Sequence, residues 1–284
     1  MLNSTIQRLE QMDRQFARIK TAKPKTTALP TDPVEFALSI CPFELYPWQR
    51  KFLSGRKDRV LFNDSRQAGK STVSSLLAVH TALTKPGSVV LLVSPTLRQS
   101  GELFKKTTYW LNRLPQKPLM LEDNKLSCAL DNGSRIVSLP GTEESIRGYA
   151  ASLIIEDEAA RVSDDLYYSI RPMLAVTQGD LILMSTPFGM RGHFYEEWEK
   201  GEGWQKFEVP ATEIPTITPE FLDSERKSLG DYWFQQEYMC KFLEPIGSLF
   251  TFDQIQSAFT DEVTPLFASE LVDNPVKPLF EVVQ

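Results

Sequence analysis

Residues 59–72 read RVLFNDSRQAGKST, in which an apolar run is followed by a loop that ends in Gly-Lys-Ser-Thr. The run Arg59–Asn63 predicts a short buried strand, and the pattern of Lys70–Thr84 predicts a helix that begins at the lysine. A loop between a strand and a helix N-terminus can wrap a phosphate group with its backbone N–H groups, and the helix dipole favours the negative charge. The segment therefore predicts an α/β domain of the P-loop NTPase class.

Further apolar runs with the length of buried strands follow along the chain, and helical patterns lie between or after them. Strands are predicted at Ser88–Ser94, Leu153–Glu156 and Leu181–Ser185, and helices at Leu97–Leu114, Asp164–Leu174 and His193–Lys200. This alternation predicts a mostly parallel central sheet flanked by helices. Leu126–Leu130 and Arg135–Leu139 flank an Asn-Gly pair, which predicts an antiparallel hairpin added to the sheet.

The composition excludes several classes of protein. The longest apolar runs are far too short to span a bilayer, so we expect a soluble protein. Three separated cysteines and two histidines argue against a disulfide framework or a metal centre built from those residues. The formal charge of −6 matches the excess of acids in residues 243–284, whereas residues 1–32 hold six basic and three acidic residues. The charge neither requires nor excludes a nucleic-acid partner.

The phosphate-binding loop comprises Ser65, Arg66, Gln67, Ala68, Gly69, Lys70, Ser71 and Thr72. It departs from the G-x-x-x-x-G-K-[ST] pattern because Asp64 occupies the position of the first glycine. We expect Lys70 to reach the β- and γ-phosphate oxygens of ATP and the Ser71 hydroxyl to coordinate Mg²⁺. Because Gly-Lys-Ser also occurs by chance, the assignment depends on a second element.

That second element is the apolar strand that ends in Glu156-Asp157-Glu158. A strand that ends in Asp-Glu would place the aspartate beside the loop, so we expect Asp157 to hold the Mg²⁺ hydration shell and Glu158 to orient and deprotonate the attacking water. Glu156 is the alternative for either role if the strand ends one residue early. Together with the loop, this element predicts an ATPase.

Two weaker signals lie outside these motifs, one downstream of Glu158 and one upstream of the loop. Ser185, Thr186 and Pro187 follow an apolar run, and a strand that ends in Ser/Thr beside the γ-phosphate can sense hydrolysis and pass it to moving parts. Upstream, Trp48 and Gln49 offer an aromatic face and an amide suited to stacking an adenine and reading its edge. Burial of Trp48 in the core explains its presence equally well.

Taken in order along the chain, these motifs resemble the ATPase half of the terminase large subunit of tailed phages, a DNA-packaging motor. The resemblance extends from about Phe43 to Phe242. It implies that Gln49 reads adenine, that Arg66 lies near the γ-phosphate, and that Arg147 acts as an arginine finger across a subunit interface. A surface arginine in a flexible loop is the alternative for Arg147.

The resemblance also implies partners and an organisation. It implies a homo-oligomeric ring that translocates double-stranded DNA with a small terminase subunit and a portal or procapsid, in the host cytoplasm and without a membrane. We expect a helical arm and linker at 1–32, the ATPase domain at 33–243 and an acidic extension at 244–284. That extension is too short for the nuclease domain of the family, so we expect no nuclease activity. The alternatives are a helicase-like DNA-remodelling ATPase and a nucleotide-gated adaptor.

Overall fold

Eight strands form one sheet in the computed structural model, which describes residues 29–140, 148–244, 254, 257 and 258. The strands are β1 (Arg59–Asp64), β2 (Val89–Ser94), β3 (Met120–Asp123), β4 (Ser127–Leu130), β5 (Arg135–Pro140), β6 (Leu153–Asp157), β7 (Asp180–Ser185) and β8 (Gln205–Val209). Their order across the sheet is β3-β4-β5-β2-β6-β7-β1-β8. Every pairing from β5 to β8 is parallel, and only the β3-β4 and β4-β5 pairings are antiparallel. The predicted fold class is confirmed.

The described residues form eight helices, six of which cover the two faces of this sheet, while the last two pack together in a separate cluster. The helices are α1 (Pro33–Ile40), α2 (Pro47–Gly55), α3 (Lys70–Thr84), α4 (Leu97–Arg113), α5 (Asp164–Ile170), α6 (Gly192–Glu199), α7 (Pro219–Leu229) and α8 (Asp231–Glu237). The helix predicted at Asp164–Leu174 ends early, at Ile170, and a 3₁₀ turn covers Arg171–Leu174. Pro172 explains the difference, because it has no N–H for an α-helical hydrogen bond and its ring crowds the preceding turn.

The alternation of side chains along each strand divides the core into two layers. Phe62 on β1 and Ile155 on β6 face the layer formed with α1 to α4, whereas Leu61 and Ile154 face the layer formed with α5 and α6. All four of these side chains are 2% exposed or less. Burial on both faces explains why the strands read as continuous apolar runs.

The predicted hairpin is present between β4 and β5. Gly133 has φ 83°, and its N–H donates to the carbonyl of Leu130 at 3.0 Å, which closes the turn. Strand β3 pairs with β4 and lengthens this antiparallel part of the sheet, which the sequence did not predict. The helix predicted within residues 1–20 lies outside the described residues. In the part of the chain that is described, no helix is both long and apolar enough to cross a membrane.

Candidate active site

The loop between β1 and α3 has the backbone that close approach to a phosphate requires. Gln67 and Gly69 lie in the left-handed region, with φ 63° and 93°. A Cβ at Gly69 would lie 2.9 Å from Nε2 of Gln49, so a side chain here would have an unfavourable φ and would require the Gln49 amide to shift. Helix α3 begins at the next residue, so its first N–H groups face the space enclosed by the loop.

Lys70 lies at the centre of the charged groups around the loop. Its side chain is 11% exposed, and its Nζ lies 3.4 Å from Oδ1 of Asp64 and 3.3 Å from Oε1 of Glu158. Burial lowers the pKa of Lys70, but the carboxylates of Asp64, Glu158 and Asp157 outweigh burial and raise its pKa above the usual value. The lysine is therefore a firmly charged cation directed at the loop.

Asp64, which replaces the usual first glycine, is completely buried at the end of β1. Among the described residues no group other than Lys70 lies close enough to pair with it, and its oxygens accept no well-formed hydrogen bond. Burial raises the pKa of Asp64 to about 7, and the Lys70 ammonium acts in the opposite direction. The charge on Asp64 therefore depends on where Lys70 lies.

Asp157 and Glu158 end and follow β6 beside the loop. Asp157 is 8% exposed, and its Oδ1 accepts a hydrogen bond from the N–H of Glu158 at 3.1 Å. Burial raises the pKa of Asp157 to about 6. Glu158 has left-handed backbone angles, φ 56° and ψ 40°, which are unfavourable for a residue with a side chain and are found at functional sites. This turn directs the Glu158 carboxylate at Lys70.

Glu156 does not join this site, because alternation along the strand places it on the opposite face from Asp157. It is fully buried, and its Oε1 lies 2.8 Å from Nε2 of His193 on α6. Nδ1 of His193 lies 3.0 Å from Oδ1 of Asp164. The strand includes both Glu156 and Asp157 and does not end before them, so the alternative assignment of Glu156 is removed.

Two adjoining cavities surround these groups. Asp157, Glu158 and Ser71 line the first together with Lys106 and Arg98 of α4. The second follows the loop and is lined by Asp64, Arg66, Gln67, Ala68, Gly69, Lys70, Ser71, Thr72, Lys106 and Glu158. Lys106 faces both cavities and was not among the predicted site residues, since a lysine on an exposed helix face carries no distinguishing pattern.

The residues present fit a magnesium ion that is shared with phosphate oxygens. Mg²⁺ commonly takes one or two protein oxygens and completes its shell with water and phosphate. The Ser71 hydroxyl and the buried Asp157 carboxylate line the same cavity and provide such a pair. No group of three His, Cys, Asp or Glu suited to a metal was found in the described residues, so an all-protein cage is not formed there.

A third cavity continues from the loop and is aromatic. It is lined by Pro42, Phe43, Thr72, Glu102, Lys105, Lys106, Tyr109 and Trp110. Phe43 and Tyr109 are 44% and 49% exposed, so their rings are accessible. Trp48, in contrast, is 8% exposed and packs against the Phe62 ring at 5.0 Å between centroids. The structure places Trp48 in the core, and stacking of an adenine by Trp48 is not supported.

The buried side chain of Gln49 lies against the phosphate-binding loop. Its Oε1 accepts a hydrogen bond from the N–H of Tyr46 at 2.9 Å, which caps α2, and its Nε2 lies against Gly69. The side chain is 3% exposed. Gln49 therefore connects the start of α2 to the phosphate-binding loop, and its reading of adenine stays a prediction.

Arg66 lines the loop cavity and also pairs with the end of α8. Its Nε forms an ion pair with Oε2 of Glu237, and its N–H donates to the Glu237 carbonyl at 3.2 Å. The Arg66 side chain is 60% exposed. The placement of Arg66 near the γ-phosphate stays a prediction. Glu237 is 171 residues away in sequence, so no local pattern predicts the pair.

The Ser185-Thr186-Pro187 segment follows β7, next to β1 and β6 in the sheet. Ser185 and Thr186 are buried, and the Thr186 hydroxyl lies 3.3 Å from Nη1 of Arg161. Arg161 also contacts Glu158, and it was not among the predicted site residues. Its position three residues after Glu158 was the feature of the sequence that could have indicated this contact. Arg147 lies outside the described residues.

Comparisons with known proteins agree with this geometry. The family model described as terminase large subunit, T4likevirus-type, N-terminal, matches residues 61–257. The terminase large subunit of Thermus phage G20c is 27% identical over 225 residues, which cover 66% of this chain and 46% of that protein. The chain thus spans about half the length of the curated relatives it matches.

Solved structures show the same fold. The large terminase ATPase domain of Thermus phage P74-26 has a TM-score of 0.64 at 21% identity, covering 74% of this chain and 98% of that one. The large terminase of a thermophilic bacteriophage in complex with ADP has a TM-score of 0.60 at 13% identity, covering 70% and 54%. Since the family model matches more than half of the sequence, this chain belongs to the terminase large subunit family, in its N-terminal part.

Proposed function

We propose that this chain is the ATP-hydrolysing motor part of a machine that moves double-stranded viral DNA into a procapsid. The observation that carries the proposal is the meeting of Lys70, Asp157 and Glu158 at the mouth of one phosphate-binding loop. Membership of the terminase family supports the link to DNA packaging. The solved terminase with ADP supports ATP as the nucleotide.

In the proposed reaction, Oε1 of Glu158 accepts a proton from a water molecule as the water oxygen attacks the γ-phosphorus. The bond from that phosphorus to the β–γ bridging oxygen breaks, and ADP leaves with the electron pair. The loop N–H groups and Lys70 hold the phosphate oxygens. A magnesium ion held by Ser71 and Asp157 would neutralise charge on those oxygens. In this account Glu158 is the base, and Asp157 is the metal-side acid.

The aromatic cavity is our proposed adenine site. It begins at Thr72, the last residue of the loop, and continues to the exposed rings of Phe43 and Tyr109. Stacking on an aromatic ring is a common way to hold a base, because every base has a π-face. In this proposal the adenine stacks on Phe43 instead of Trp48, and Gln49, whose side chain lies against Gly69, reads the edge of the base.

The proposed machine is a ring of copies, in which Arg147 of one copy completes the ATP site of the next. An arginine finger offers a planar charge to the transition state, worth roughly 10³–10⁵ in rate. The proposed partners are a small terminase subunit and a portal or procapsid, in the host cytoplasm with no membrane. The proposed division is a helical arm and linker at 1–32, the ATPase domain at 33–243 and an acidic extension at 244–284.

Displacement of a third strand from a triplex tests movement along duplex DNA directly. We expect ATP-dependent displacement by wild type and none by Glu158→Gln. Separation of the two strands of a plain duplex would favour the helicase-like alternative. Retention of one ATP for minutes without any effect of DNA would favour the nucleotide-gated adaptor. Either of these last two outcomes contradicts the motor proposal.

A further inference from the structure

Arg161 joins the candidate base to two other parts of the domain. Its Nη1 lies 3.1 Å from Oε2 of Glu158 and 3.3 Å from the Thr186 hydroxyl. Its guanidinium lies 4.5 Å from the ring centroid of Phe188, and its Nη2 lies 3.9 Å from Oε1 of Glu237. One side chain therefore contacts the acid after β6, the segment after β7 and the end of α8.

The local backbone holds Arg161 in this place. Glu158 turns the chain out of β6, and the 3₁₀ turn Ala159–Arg161 follows directly. The N–H of Arg161 donates to the Glu158 carbonyl at 2.8 Å. The arginine side chain is 24% exposed, and its planar guanidinium can contact several partners at once.

The two oxygens of Glu158 have different cationic partners, and this difference carries the inference. Oε1 lies near Lys70, on the side of the loop, whereas Oε2 lies near Arg161. Phosphate oxygens in the loop would compete for the three donors of Lys70. Arg161 would then be the cation that still fixes Oε2 and leaves Oε1 directed at the loop cavity.

We propose that Arg161 is a positioning residue that orients the Glu158 carboxylate and links it to Thr186. The inference rests on the proposed function, since it assigns a task only if Glu158 is the base. Movement of the segment after β7 would then change the orientation of the base through one shared nitrogen, Nη1. Conversely, a change at the ATP site that moves Glu158 would alter the position of Thr186 through the same contact.

Two arginine variants test the inference. Arg161→Gln removes the charge and the bridge, and Arg171→Gln is the matched control, because Arg171 also pairs with a carboxylate (Glu197, 3.1 Å) and lies over a ring (Tyr167, 5.3 Å). Misplacement of a catalytic group by about 1 Å can cost roughly 10²-fold in rate. We expect Arg161→Gln to lose on the order of 10²-fold in kcat and to keep its affinity for a fluorescent ATP analogue within about twofold. Arg171→Gln should keep both the kcat and the analogue affinity of wild type.

A second measurement separates positioning from a purely structural role. Thr186→Val should lower kcat several-fold in the wild-type background and have little further effect in Arg161→Gln, because the two residues act through one contact. Additive effects, or an Arg161→Gln kcat within about twofold of the control, would overturn the inference while leaving the ATPase proposal intact. Absence of any Glu158-dependent turnover in wild type would instead overturn the proposed function, and the inference with it.

Discussion

Nζ of Lys70 lies 3.3 Å from Oε1 of Glu158, so the lysine of the phosphate-binding loop and the acid that follows β6 form a partly buried ion pair. The two residues are 88 positions apart in sequence, yet β1 and β6 both end at the same edge of the parallel sheet. In open α/β sheets, ligands bind at this carboxyl edge. In the proposed reaction, this pair lies where the phosphate is bound and the water is activated.

Lys70→Ala and Glu158→Gln should separate binding from chemistry. Removal of Lys70 removes a cation from the phosphate site, so we expect ATP affinity to fall by at least about tenfold. Glu158→Gln keeps the shape and the contact with Arg161 but cannot accept a proton, so ATP should bind and turnover should fall by roughly 10²–10⁴. Titration with a fluorescent ATP analogue and single-turnover hydrolysis give the two values. Normal turnover by Glu158→Gln would require another base.

Glu156→Gln should keep hydrolysis, because Glu156 faces the opposite layer of the core from Asp157. We expect kcat within about threefold of wild type and a loss of stability of about 1–3 kcal/mol from the weakened contact with His193. Chemical denaturation and steady-state hydrolysis measure both. Asp157→Asn is the comparison and should raise the Mg²⁺ concentration required for activity. Complete inactivity of a folded Glu156→Gln protein would argue against the assignment.

Phe43→Ala should weaken ATP binding without slowing chemistry. Loss of one base–aromatic stack is worth about 1–3 kcal/mol, so we expect KM to rise roughly tenfold or more at nearly constant kcat. Phe221→Ala is a suitable control, because Phe221 on α7 is similarly exposed, at 47%, and does not line the cavity. Equal KM values for the two variants would remove Phe43 from the adenine site.

The stability contributed by His193 should fall as the pH rises. Burial lowers the pKa of His193, but the hydrogen bonds and charges of Glu156 and Asp164 outweigh burial and raise its pKa. A raised folded-state pKa gives stability that is fully present below the unfolded value of about 6.5 and lost as the pH rises through the folded value. Thermal midpoints of wild type and His193→Gln should therefore differ more near pH 6 than near pH 9. A difference that grows with pH would contradict this account.

Local patterns predicted β1, β2, β6, β7 and the hairpin of β4 and β5 closely, whereas β3 and β8 were not predicted. Helix α3 spans the predicted Lys70–Thr84, since apolar periodicity and the glycine before it are both local signals. The predicted end of α5 was wrong because Pro172 interrupts the helix, although the apolar pattern continues to Leu174. The division of Glu156 and Asp157 between two faces follows from strand alternation once the strand is known to include both.

The partners of the site residues were less predictable. Arg66 pairs with Glu237, and Arg161 reaches Thr186, and each pair joins residues that are far apart in the chain. The role of Trp48 could not be predicted for a different reason. An aromatic side chain can pack in the core or stack on a ligand, and only the packing against Phe62 distinguishes the two. Sequence therefore located the loop and the acids, while the charged contacts between them required the tertiary structure.

Hydrolysis of ATP as a function of protein concentration, with and without double-stranded DNA, tests the central claim most directly. Glu158→Gln provides the blank. A ring in which one copy completes the site of the next predicts turnover per molecule that rises with concentration and rises further with DNA. Turnover per molecule that is constant with concentration and indifferent to DNA would contradict the motor proposal.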